Sequence, residues 1–166
     1  MTNEEYILDW FKNHVWSRIK PSNVCDGVGI FAIRDIPKGT SVHDKAPKTV
    51  NAWIPYETVV ETLPMGVVDM IISAQPSVGS KLCDSDFVWK EEYGPLWMYT
   101  NQNMNWINYW WHQNHSDNPN LDVFVMGDRE FKYISNRDIK EGDELFESYD
   151  SYVDDWEKIN KNGKSS

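Results

Sequence analysis

The chain has 166 residues, about one domain's worth, with two cysteines, Cys25 and Cys83, that are too few for a disulfide framework and form no CxxC pair; the sequence offers no metal site. Sixteen basic against 26 acidic residues leave a formal charge of -10, which argues against nucleic acid and suits either a basic, lysine-bearing partner or plain solubility. No apolar run is long enough to cross a membrane, and the N-terminus is acidic rather than basic leading into apolar, so the expectation is a soluble intracellular protein without a membrane span or signal peptide.

Residues 3 to 16 read as an amphipathic helix. Thr2 and Glu5 have capping-box spacing, and Ile7, Trp10, Phe11 and Val15 fall on one side. Residues 1–20 are expected to form an N-terminal helix packed on the domain that follows. Next, Gly27, Gly29 and Ala32 fit a GxGxxA dinucleotide fingerprint. The flanks defeat that reading, because Lys20-Pro21-Ser22 precedes it and Pro37 follows, where a strand and a helix are needed. Instead Ile30 to Ile33 reads as a strand, Pro37-Lys38-Gly39 as a turn, and Ser41 onward as the returning strand.

Arg34-Asp35-Ile36 with Gly39 recurs as Arg137-Asp138-Ile139 with Gly142. Two similar strand-turn-strand units follow from this, each with an isoleucine in the core and a glycine in the turn. Between them, residues 51–111 form a variable helical and aromatic insert. Pro55 to Ala74 contains a helix broken near Pro64-Met65-Gly66, and residues 75–80 read as a loop. The aromatics from Trp89 to Trp111, Tyr109 among them, fill a core and its rim, wall a slot for an aliphatic ammonium, or stack bases; the single basic residue Lys90 disfavours stacking.

The most specific stretch begins Asn114-His115-Ser116-Asp117-Asn118-Pro119-Asn120. It continues through Leu121 to Met126, a Gly127-Asp128 hairpin signal and a strand at Phe131 to Ile134, and closes on Gly142-Asp143-Glu144-Leu145-Phe146-Glu147-Ser148-Tyr149. Asn, Ser, Asp and Pro alone would be an ordinary polar loop, and His115 alone an ordinary buried histidine. In this order and spacing the stretch resembles the SET domain, the family of S-adenosylmethionine-dependent protein lysine methyltransferases, over roughly Gly27 to Tyr149.

That resemblance implies a mostly β domain with an α insert (α+β) at residues 21–150, in which the Asn114 segment and the Tyr149 segment cross in a knot-like arrangement. It implies Tyr149 as the catalytic tyrosine, and Gly27, Val28, Gly29, Asn114 and His115 as contacts for S-adenosylmethionine. Glycine suits backbone laid close to a ligand and can take positive φ, while asparagine offers a carbonyl to an ammonium and an amide to a carboxylate. The partner implied is a lysine-bearing protein or peptide; the oligomeric state is left open. The rival is a catalytically silent SET-like module that binds such peptides.

Trp111-His112-Gln113 stands where many members have Arg-Phe-Ile, and Glu147 where many have an aromatic that limits methyl number. Strand alternation would set Glu147 on the face of Tyr149, in the substrate channel with Tyr109. The flanking zinc segments of many members are missing, as in minimal viral or bacterial ones, which implies a cytoplasmic protein, or one in a host cell and possible nucleus for a eukaryotic virus. Residues 151–166 read as a short helix and a disordered tail, with Trp156 either a lid on the adenine or a packing residue.

Overall fold

The computed structural model describes residues 1–74, 77–78, 97–101, 112–127 and 130–152. Helix α1 (Asn3–His14) starts as read: the Thr2 hydroxyl accepts the Glu5 N–H at 3.1 Å, and the Glu5 carboxylate accepts the Thr2 N–H at 2.7 Å. It buries Ile7, Leu8 and Phe11, and Val15 follows in extended backbone.

Strand β1 (Ser17–Pro21) follows without a long connection and pairs antiparallel with β2 (Val28–Ala32). β1 is an edge strand that ends in a proline, a position where a missing N–H costs nothing. β2 is buried on both faces because it divides two cores. On one side Ile33 joins a helical core with Phe11, Ile54, Val59, Val67 and Ile71; on the other, Ile30 and Ala32 join Ile36, Leu121, Tyr133, Ile139 and Leu145.

The returning strand expected from Ser41 does not form. That segment makes a single bridge, Ser41 to Ile134, and the partner of β2 on its second edge is β9 (Glu144–Glu147). The cause is the internal repeat, whose two units pair with each other rather than folding back on themselves. Ile36 and Ile139 exchange N–H to carbonyl bonds of 2.8 and 2.9 Å. The Asp138 carboxylate accepts the Lys38 N–H at 2.9 Å, and Asp35 accepts the Glu141 N–H at 3.0 Å, so each aspartate caps the other unit's turn. Gly39 and Gly142 take positive φ (86° and 91°), as their turns demand. The Gly39 N–H reaches Ser135 and the Gly142 N–H reaches Ala32, at 2.8 and 2.9 Å.

The insert opens with β3 (Asn51–Pro55), then α2 (Tyr56–Thr62) and α3 (Met65–Ala74), broken where expected. Ser77–Val78, read as loop, is instead the short strand β4, which with β3 flanks β5 (Trp97–Asn101). α3 rides on the end of β2: a Cβ at Gly66 would overlap the Ile33 carbonyl. β6 (Asn114–His115) adds to the far edge of β9, and β7 (Leu121–Gly127) and β8 (Glu130–Ser135) form the predicted hairpin. Among the described residues no helix is long and apolar enough to cross a membrane.

Candidate functional site

β6 runs parallel to β9, with Asn114 opposite Phe146 and His115 opposite Glu147. This lays the Asn-His-Ser stretch along the segment leading to Tyr149. Asn120, buried at the end of the stretch, ties into β9 as well. Its amide donates to the Glu144 carbonyl at 2.9 Å, and its carbonyl accepts the Phe146 N–H at 2.8 Å. The Arg137 guanidinium donates to Asn118 and to the Pro119 carbonyl at 3.1 Å, holding the loop between. Asparagine, with a donor and an acceptor on one short arm, can replace a missing strand partner on both sides of a peptide.

Asn114 sits over the start of β2. Its amide nitrogen donates to a Glu144 carboxylate oxygen (2.8 Å), to the Val28 carbonyl (3.1 Å) and to the Ser22 hydroxyl (3.2 Å); its carbonyl oxygen faces the Cys25 thiol at 3.9 Å. The amide is therefore spent inside the protein. Only the carbonyl is left for a ligand, in place of the two-ended contact expected from sequence. Gly29 does permit a close approach, but by this chain itself: a Cβ there would collide with the Glu144 carboxylate. Gly27 is less confined, with the Cys25 sulfur 3.6 Å from where a Cβ would lie. Neither glycine has positive φ. Val28 between them is exposed.

Tyr149 does not end a strand. β9 stops at Glu147, and Tyr149 opens a 3₁₀ turn, Tyr149–Tyr152. The alternation argument that placed Glu147 and Tyr149 on one face thus stops short. Burial first, then the charges of Glu147 and Cys25, push the tyrosine's pKa above its ordinary value. The phenol stays protonated at neutral pH. Its hydroxyl donates to the Gln113 main-chain carbonyl at 3.0 Å, which leaves its oxygen as an acceptor. The Tyr149 N–H donates to His115 Nδ1 at 3.0 Å, so the His115 proton lies on Nε2, 3.2 Å from Asp117. His115 is exposed, not buried, and acts through its ring as a backbone acceptor.

Three residues close to these had no role in the sequence reading. Gln113 is buried with 2% exposure, and its side-chain carbonyl lies 2.7 Å from His43 Nε2, which must carry the proton. Burial lowers the His43 pKa to about 4, so this ring is neutral. Glu144, 5% exposed, accepts from Ser22 (2.8 Å), from the Asn23 N–H (3.1 Å) and from Asn114. The signal for Glu144 was present in its register, because the repeat sets Ser41 at the same place and only Glu144 is ionisable. A groove of about 420 Å³ borders this cluster along Asn23, Val24, Ser116 and Phe146; Asn114 and Tyr149 are not on its walls. Glu147 is buried at the end of β9. Tyr109 and Trp156 lie outside the described residues.

Compared with known proteins, residues 27–150 match the sequence model of the SET domain family. No curated protein matches the sequence. Among solved structures, a Plasmodium falciparum protein proposed to be a histone methyltransferase is 16% identical (TM-score 0.36) over 82% of this chain and 94% of its own. Chains of the Chaetomium thermophilum Polycomb Repressive Complex 2 are similar too. One, bound to GSK126, is 20% identical (TM-score 0.37) over 83% of this chain and 16% of its own. Another, in an autoinhibited conformation bound to S-adenosylmethionine, is 19% identical (TM-score 0.37) over 90% of this chain and 17% of its own.

Proposed function

The chain belongs to the SET domain family, whose model matches residues 27–150, and we propose that it is a protein lysine N-methyltransferase that uses S-adenosylmethionine to methylate a lysine side chain of a protein substrate. The observation that carries this reading is the junction of β6 with the Tyr149 turn. There a phenol with its proton committed to the Gln113 carbonyl stands beside Asn114, whose carbonyl oxygen, among the described residues, faces the Cys25 thiol.

The residues fit the ammonium of the cofactor's zwitterionic amino-acid end. Asn114 presents an acceptor suited to an ammonium, beside the exposed Val28 and the less confined Gly27. When bound, the cofactor supplies an electrophilic methyl on sulfonium. Transfer of that methyl to a lysine amine, with the demethylated cofactor leaving, would require the amine to be held in line with it. This chain's part is to hold that line. Tyr149 accepts from the amine or from the polarised methyl, and its raised pKa keeps it protonated, so that no phenolate is available as a base at neutral pH. The amine must arrive neutral, against a free pKa of ~10.4, and a desolvated channel beside a sulfonium lowers that value. We assign His115 to hold the Tyr149 backbone, Glu147 and Tyr109 to the substrate channel, and Trp156 to the adenine side.

Glu147 favours a second reading. A buried carboxylate beside Tyr149 would keep a bound lysine as its ammonium, and a silent lysine-peptide module would use it so. Titration calorimetry with S-adenosylmethionine, followed by a labelled-methyl screen on lysine-rich proteins, separates the two. Micromolar cofactor binding and label on lysine support the enzyme. Cofactor binding without label on any lysine supports the module, and no binding at millimolar cofactor removes both the transfer reaction and the cofactor site.

A further inference from the structure

We propose that Glu144 is a positioning residue that turns Asn114 so that its carbonyl oxygen, and not its amide, meets the cofactor, making the site selective for ligands that carry an ammonium there. This rests on the methyltransferase reading above. Around the Asn114 amide nitrogen stand a carboxylate oxygen of Glu144 and the main-chain carbonyl of Val28, at 2.8 and 3.1 Å. Neither can donate. With the amide reversed, the Asn114 oxygen would confront two acceptors, so the orientation follows from chemistry. The outward atom is then the carbonyl oxygen, which accepts from an ammonium and repels a carboxylate.

Glu144 is itself held in place by donors. The Ser22 hydroxyl and the Asn23 N–H bind its two oxygens, and Gly29 leaves the space the carboxylate occupies. The fold does not require an acid at this register. The equivalent position in the other half of the repeat is Ser41, whose hydroxyl donates to the nearby Asp44, and its backbone bridge to Ile134 matches that of Glu144 to Phe31. A carboxylate with 5% exposure is costly to bury unless its partners need it, and three donors converge on this one.

The test is calorimetric binding of S-adenosylhomocysteine and of its analogue lacking the α-amine, to wild-type protein and to Glu144→Gln. The Ser22 hydroxyl and the Asn114 amide share one Glu144 oxygen and the Asn23 N–H takes the other, so a carboxamide must set its NH2 against either Asn23 or Asn114 and, uncharged, holds the Asn114 amide more weakly. Wild type should prefer the amine-bearing ligand by about tenfold or more, the worth of a hydrogen bond to a charged group, and Glu144→Gln should bring the two ligands close to parity. Ser22→Ala, which removes one support of the carboxylate, should erode the preference part-way, and carries the test should Glu144→Gln fail to fold. An undiminished preference in the variants overturns the proposal, as does a loss of affinity shared equally by both ligands. If wild type binds neither ligand, the methyltransferase reading falls and takes this one with it.

Discussion

The two halves of the repeat, Arg34 to His43 and Arg137 to Phe146, share turns, reciprocal aspartate caps and backbone bonds, yet they end on different chemistry. The first arm ends at His43, which holds the side chain of Gln113; the second carries Glu144, which holds that of Asn114. Consecutive residues are thus gripped from opposite halves. The Gln113 main chain receives the Tyr149 hydroxyl, and the Asn114 side chain turns outward. One symmetric frame, made of backbone, supports an asymmetric pair of side chains, and the site sits where the symmetry ends.

The largest expected break is in the second arm's extension. Tyr149→Phe should lower single-turnover methyl transfer by about 10²-fold, the scale of losing alignment at a reacting centre, with cofactor affinity nearly unchanged. Unchanged transfer would remove Tyr149 from the reaction. Behind the first arm, Gly66→Ala should destabilise the fold by about 1–3 kcal/mol in urea titration, since the added methyl meets the Ile33 main chain and not a movable side chain.

His43 distinguishes the arms by pH. Its folded pKa of about 4 lies below the ordinary 6.5, so on acidification the unfolded chain takes up the proton first. The stability is fully present above about pH 6.5 and is lost as pH falls towards about 4. The size is on the order of 2 kcal/mol, below the full linkage value because the half-buried ring keeps some solvent. His43→Gln should flatten that part of a stability–pH curve, and an unchanged slope would assign it to other groups.

The smallest effects test the symmetry itself. Asp35→Ala and Asp138→Ala should lower Tm slightly and by similar amounts in thermal melts; a marked inequality would mean that the caps are alike in geometry only. Asp35 adds a sign. The Glu141 N–H, then Lys140, hold its pKa below the ordinary value, so its contribution is present above the usual carboxylate range and fades as pH falls through it.

What the sequence disclosed was whatever depends on near neighbours or on repetition. The capping box spans three residues, the β7–β8 hairpin turns at Gly127, and the repeat is visible as text. β1 escaped notice because Ser17-Arg18-Ile19-Lys20-Pro21 lies on an edge, where little apolar alternation is needed and the proline reads as a break. The returning strand from Ser41 was misplaced because local hairpin logic ignores a distant copy of the same turn. Asn114 and Tyr149 were legible through a resemblance in pattern. Glu144 stood out only as the ionisable counterpart of Ser41, and its role stayed hidden because its partners Ser22, Asn23 and Asn114 lie 122, 121 and 30 residues away; Gln113 gained meaning only when His43 arrived beside it.

The clasp between Ile36 and Ile139 also sets a schedule. Its halves are roughly a hundred residues apart, so a chain leaving the ribosome can complete neither until the second has emerged. Until then the edge of β2 that β9 later covers stands open, with Ile30 and Phe31 upon it, as a template for a stray strand. Production of this protein should therefore be sensitive to translation speed and to chaperones that shield nascent strands, more than its native stability would suggest.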